Sequence, residues 1–266
     1  MKLISISSSK GGVGKTTIAA NLAHMLSLRG FTVLAIDFDS QNSLRTHFGI
    51  PLSDTQGFVS KALRQSDWSP FIISVSNNLF VLPYGECDES TQSIFEQRLL
   101  NDSDFLHHGL QALRNTEGLI LVADTASLSS PAFKALTQLA DIQLIPLLSD
   151  TASMTQLPYL ERTGFLEHPQ SVKNFFILNQ TNPRSDVCQD VETFAQNTLS
   201  KQLIGQIHRD ESVLKAHSAE QSITDFNRLS AAAADIEAIS DKVIDLLGLE
   251  IGTGAIYHDL KESIRE

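Results

Sequence analysis

Cysteine, tryptophan and methionine are scarce in this chain of 266 residues, which holds two, one and three of them. Cys87 and Cys188 stand about a hundred residues apart, which excludes a disulfide framework and a cysteine-built zinc site and fits a reducing compartment. Basic residues are also few: 20 lysines and arginines face 31 aspartates and glutamates, the net charge is −11 and the isoelectric point is near 5.1. A sequence-independent DNA binder needs a Lys/Arg surface against the phosphates, so that class is disfavoured, with a local basic patch left open. No apolar run approaches the length of a membrane span, and the first residues hold one lysine and no long apolar leader, so the chain is expected in the cytosol. Internal repeats, low-complexity linkers and composition breaks are absent as well. The 42% hydrophobic content is enough for one large core.

What the chain does have is concentrated at its start. Leu3, Ile4 and Ile6, interleaved with Ser5 and Ser7, predict a short strand, and Lys10-Gly11-Gly12-Val13-Gly14-Lys15-Thr16-Thr17 then turns directly into a helix. This is a phosphate-binding loop. Gly11, Gly12 and Gly14 allow positive φ and let successive N–H groups point at one anion, to which the new helix adds its positive end. Lys15 reaches the phosphates as a point charge, Thr16 offers its hydroxyl to Mg²⁺, and Thr17 is a further hydroxyl within reach.

Ile18, Ala19, Leu22, Ala23, Leu26 and Leu28 then recur at helical spacing, predicting a helix over 16–29 closed by Gly30. Residues 31–37 (FTVLAID) form a near-continuous apolar run, as expected of a parallel strand covered on both faces. Asp37-Phe38-Asp39-Ser40-Gln41-Asn42 follows at its carboxyl end, where open α/β sheets bind ligands; it reads as a switch loop or as turn residues capping the next segment. Helices are predicted over 55–66, 132–139, 151–160 (interrupted by Pro158), 187–200 and 231–247, and strands over 78–83, 142–148, 172–179 and 203–207. Residues 86–117 are polar and helical in pattern, and their His107-His108 pair lacks a third ligand at suitable spacing. The strand 118–124 (GLILVAD) runs into Asp124, which has the placement of a magnesium-holding acid, with Thr125-Ala126-Ser127 as a second switch. Together these predict one doubly wound α/β domain over residues 1–247, with a mostly parallel sheet of about seven strands and helices on both faces. Residues 248–266 form a tail, docked or mobile.

The ordinary loop would carry glycine at position 9, where this chain has Ser9, and a second lysine, Lys10, precedes the glycines. In this the loop resembles the deviant P-loop of the MinD/ParA class of ATPases, a resemblance that covers residues 1–247. It implies ATP and Mg²⁺ as ligands and a homodimer closed over ATP, each Lys10 reaching the partner's nucleotide. It assigns the phosphates to residues Gly11, Gly12, Val13, Gly14, Lys15, Thr16 and Thr17, and the metal to Thr16, Asp37 and Asp124. Asp39 would orient the attacking water, and Asn179 would meet the adenine edge. Members carry a proline-led loop that wraps the base; His208 stands in the proline's place here, ahead of Asp210, and otherwise reads as a structural histidine. The strings His208-Arg209-Asp210-Glu211-Ser212, Gln56-Gly57-Phe58, Asp67-Trp68 and Leu82-Pro83-Tyr84-Gly85 look like the cellulose-synthesis branch of the class. That branch implies a slow switch ATPase that localises or assembles an envelope machine, the cellulose synthase complex, through protein partners. Such a protein is cytoplasmic and recruited to the inner membrane face or pole. The acidic tail is unlike a basic lipid anchor, so membrane contact would be indirect. A partition ATPase binding DNA as an ATP dimer is the alternative.

Overall fold

Ile120-Leu121-Val122-Ala123 is one of several unbroken apolar runs, and in the computed structural model, which describes residues 1–114, 116–158 and 173–250, it lies in the interior of a sheet. In chain order the strands are β1 (Lys2–Ile6), β2 (Val33–Asp37), β3 (Ile73–Ser76), β4 (Leu79–Leu82), β5 (Ile120–Asp124), β6 (Ile142–Leu148), β7 (Lys173–Thr181) and β8 (Leu203–His208). They pair in the order β3-β4-β2-β5-β1-β6-β7-β8, all parallel except β3 against β4. The described residues thus hold eight strands rather than the seven or so expected. The additional strand is the antiparallel edge β3. Its Ile-Ser-Val-Ser alternation, half-buried at every second residue, is the period-two signal of a strand with one solvated face.

Alternate strand residues feed opposite layers. Ile4, Ile6, Val33, Ala35, Val122 and Ile177 pack with helix α1 (Lys15–Leu28) and the helix Ala231–Leu247, whereas Leu3, Leu34, Ile36, Leu121 and Ala123 face the helices of segment 59–136. The α2 (Val59–Ala62), α3 (Glu89–Asn101), α4 (Ser103–Gly109), α5 (Gln111–Arg114) and α6 (Pro131–Leu136) elements belong to that second layer, joined beyond β6 by α7 (Thr151–Met154) and α8 (Asp186–Leu199). Helices α9 (Glu211–Ser218) and α10 (Ile223–Phe226) lead into α11 (Ala231–Leu247) on the first layer. Ser230 caps α11 by accepting the Ala233 N–H, and Gly248 ends it at φ +63°.

The helix expected over 55–66 contracts to Val59–Ala62. Gly57 lies so close to Gly85 that a Cβ on it would meet the Gly85 nitrogen at 2.2 Å, and the N–H groups of Phe58 and Val59 donate to the carbonyls of Pro83 and Tyr84. Those donors are thereby committed to the β4 exit, and the helix cannot start earlier. Of the helix expected over 151–160, Thr151–Met154 is formed with Asp150 as its cap, and residues 159 and 160 lie outside the described residues, as does Val172 at the start of the expected β7. So do residues 251–266 of the tail.

The registers that matter for function are those of β1, β2 and β5. Ile6 and Asp37 both align with Asp124, so the three strands end level, with two carboxylates on neighbouring strands. Just beyond, Phe38 turns into the second layer and meets Phe58 edge-on at 5.6 Å and Trp68 at 6.5 Å.

Candidate functional site

β1 ends at Ile6 and α1 begins at Lys15, so residues 7–14 have to reverse direction over the end of the sheet. Gly12 (φ +73°) and Gly14 (φ +90°) supply the left-handed backbone. Gly14 is required twice, because a Cβ there would also lie 2.5 Å from Asn179 Nδ2. That amide donates to the Val13 carbonyl at 2.8 Å while its Oδ1 accepts the Gln180 N–H at 2.9 Å. Asn179 therefore braces the loop from the end of β7. No side chain caps α1 and no acidic residue sits in its first turn, which leaves the helix's positive end and free N–H groups facing the loop.

Beneath the loop lie two fully buried carboxylates. Thr16 Oγ1 donates to Asp124 Oδ2 at 2.6 Å, and Asp124 Oδ1 is buried with no hydrogen-bond partner among the described residues. Burial pushes the Asp124 carboxyl up to about 7, against the Thr16 bond and the Lys15 charge, with Asp39 adding to the rise. Asp37 is raised well above the usual carboxylate range, first by burial and then by the charge of Asp124, although it accepts the Asp39 N–H at 2.9 Å and the Leu44 N–H at 3.0 Å. Among the described residues, two adjacent buried acids with the largely buried Lys15 opposing them are short of positive charge. The free Asp124 oxygen beside the Thr16 hydroxyl fits a small hard cation such as Mg²⁺, which oxygen donors bind. Asp37, with both oxygens accepting loop N–H groups, anchors residues 38–44.

One cavity of about 920 Å³ brings together Gly11, Gly12, Gly14, Lys15, Thr16, Thr17, Asp39, Asn179, His208 and Asp210. Val13 does not line it: its side chain is buried and its carbonyl is held by Asn179. Asp37 and Asp124 lie at the strand ends below. Lys10 is half-buried at the start of the loop, its carbonyl accepting the Ser8 hydroxyl at 2.5 Å, and its ammonium has no partner among the described residues. Ser9, where ordinary loops have glycine, is hydrogen-bonded to Gln156.

At the far end of the cavity His208 is fixed by an acid that sequence reasoning missed. Asp235 in α11 accepts both the His208 backbone N–H and Nδ1 at 2.8 Å. Its only trace in the sequence is a single acid after an alanine run. Asp210 caps α9 by accepting the Ser212 N–H at 2.7 Å and reaches the Ala232 N–H at 3.4 Å, so it also joins α9 to α11. His47 and His217, neither of them singled out by sequence, line the same cavity.

Fold and loop together put the chain in the MinD/ParA class of P-loop NTPases. Solved structures match closely in shape: the septum site-determining protein MinD of Pyrococcus horikoshii complexed with Mg-ADP has a TM-score of 0.73 at 21% identity over 93% of this chain and 97% of that one. A putative plasmid partition protein of Borrelia burgdorferi bound to AMPPNP gives 0.70 at 22% identity over 92% and 98%. Within the class, the sequence model of the cellulose biosynthesis protein BcsQ family matches residues 1–244, and the chain belongs to that family. It is 25% identical to the cellulose biosynthesis protein BcsQ of Escherichia coli K12 over 96% of this chain and 99% of that one.

Proposed function

We propose that this protein is a nucleotide-gated switch ATPase that serves cellulose synthesis by localising or assembling the synthase complex through protein partners. The observation that carries the chemistry is the Thr16–Asp124 bond with its free buried oxygen, at the foot of a glycine loop that presents Lys15. In this reading Gly11 to Thr17 cradle the phosphates, Lys15 opposes their charge, and Thr16 and Asp124 hold Mg²⁺, which when bound would draw charge from the phosphate oxygens. Asp39, on the wall of the cavity and tied by its Oδ1 to the Gln41 N–H at 3.0 Å, orients the water that cleaves ATP to ADP and phosphate. Asp37 holds Asp39 in place through the loop. Lys10 is left for a partner subunit's nucleotide, so that two copies close over ATP and open after hydrolysis. Residues 1–247 act as the ATPase domain and 248–266 as a tail. Support for the cellulose setting comes from family membership.

The deciding experiment is the solution mass by light scattering with ATP·Mg²⁺ and with ADP, using Asp39→Ala so that ATP persists. Doubling with ATP alone is expected; an unchanged mass in both nucleotides would remove the switch. Retention on nonspecific DNA that weakens with salt would favour a partition ATPase instead, against the net charge of −11.

A further inference from the structure

The cavity wall facing the glycine loop is made of two segments far apart in sequence. One is α9, which follows β8; the other is the 3₁₀ turn Leu44–Phe48, the direct continuation of the loop that carries Asp39. They meet through two imidazoles. The rings of His47 and His217 stack nearly parallel, 8° apart with centroids 4.2 Å from each other, and His217 Nε2 lies 3.0 Å from Thr46 Oγ1. The Thr46 hydroxyl proton is already donated to the Ser43 carbonyl at 2.8 Å, so the Nε2–H of His217 is the donor of that contact. A line of contacts thus runs from the outer wall of the cavity through His217, Thr46 and Ser43 into the loop, which Asp37 pins at both Asp39 and Leu44.

Along this stretch two buried side chains are poorly satisfied. Asn42 is 5% exposed, sits at φ +50°, and neither atom of its side-chain amide is hydrogen-bonded among the described residues. Arg45 is also 5% exposed; its Nη2 reaches the Leu52 carbonyl at 3.3 Å, and its Nε and Nη1 have no partner among the described residues. Buried polar groups without partners weaken the arrangement that contains them, so this conformation depends on its pins. His47 is buried and His217 exposed, so the outer ring is the removable one.

We propose that the His47–His217 stack is a clasp through which filling of the cavity end remote from the glycine loop orders the loop that holds Asp39. The two histidines are positioning residues: they touch neither the phosphates nor the water, and act through Thr46 and Ser43. The inference rests on the nucleotide reading above and adds a route from the base end to the hydrolytic end. A ligand with phosphates alone fills the glycine loop and leaves the clasp untouched.

The test is amide hydrogen exchange on the full chain with saturating ADP·Mg²⁺ or pyrophosphate·Mg²⁺, a pair that differs in the nucleoside. In the unmodified protein both are expected to protect residues 11–17, and ADP to slow exchange in 43–50 by about threefold more than pyrophosphate. His217→Ala should abolish that difference in 43–50 and leave 11–17 protected by both. His217→Phe, which restores a flat ring against His47 but has no donor for Thr46, should recover only the part carried by the stack. A merely structural role would raise exchange in 43–50 equally with and without nucleoside. An ADP-specific difference that persists in His217→Ala, or is missing from the unmodified protein while 11–17 is protected, overturns the clasp alone. Failure of either ligand to protect 11–17 overturns the nucleotide reading and the clasp with it.

Discussion

Replacing His47 by phenylalanine should reduce the loss of stability that the protein suffers as pH falls from about 7 to about 5. His47 is 6% exposed, and burial, with the nearby His217 charge adding, lowers its pKa from 6.5 to about 4. The unfolded chain therefore takes up its proton near the ordinary histidine value while the native state resists until about 4. Between those limits the unfolded state binds more protons, so stability falls as pH falls, and the whole contribution is present above about 7. At pH about 5 the gap below the unfolded value is roughly 1.5 units, which is about 2 kcal/mol. His24, whose pKa burial also lowers, adds to this slope, and the raised Asp37 and Asp124 oppose it, because they hold protons in the native state that the unfolded chain releases. All three are present in both proteins, so they cancel in the comparison. Urea unfolding of each at the two pH values gives the double difference. A phenylalanine variant with the same pH slope as the parent would refute the neutral buried imidazole.

Three further outcomes are expected. Lys15→Ala should lower ATP affinity by about a hundredfold or more, since a charge-assisted phosphate contact is worth about 3 kcal/mol; titration calorimetry reads it, and unchanged affinity would remove the P-loop reading. Gly14→Ala should cost about 2–3 kcal/mol in unfolding experiments, from a left-handed residue with a Cβ and the displaced Asn179 amide, and an unaffected protein would mean the loop has another conformation available. Gly109→Ala places a methyl 2.2 Å from the Trp68 ring and should destabilise by about 1–3 kcal/mol with a change in tryptophan emission; no change in either would contradict that packing.

The glycine loop, both strand-end acids and Asn179 were legible because each is signalled by its neighbours: a glycine run opening a helix, or a polar residue closing an apolar run. The eight-stranded sheet was nearly legible too. β3 was missed because four residues of weak alternation at an edge carry little signal, and the helix at 55–66 was overextended because its amides bond to Pro83 and Tyr84, which helical periodicity cannot reveal. Asn179, assigned to the adenine edge by resemblance, has its amide on the Val13 carbonyl here. The pairs His208–Asp235 and Thr46–His217, 27 and 171 residues apart, are products of tertiary packing and leave no pattern in either segment.

Phe38 separates the two aspartates of the loop, and its ring lies in the same aromatic cluster as the chain's one tryptophan. Trp68 is wholly excluded from solvent, with Phe58, Phe95 and Phe105 rings also around it, so its emission should lie toward the blue. A rearrangement that drew Asp39 toward a ligand, as the proposed function requires, would pull on Phe38 and change that environment. The protein thus carries an intrinsic optical reporter for the proposed switch, usable in stopped flow without a dye and uncluttered by a second indole.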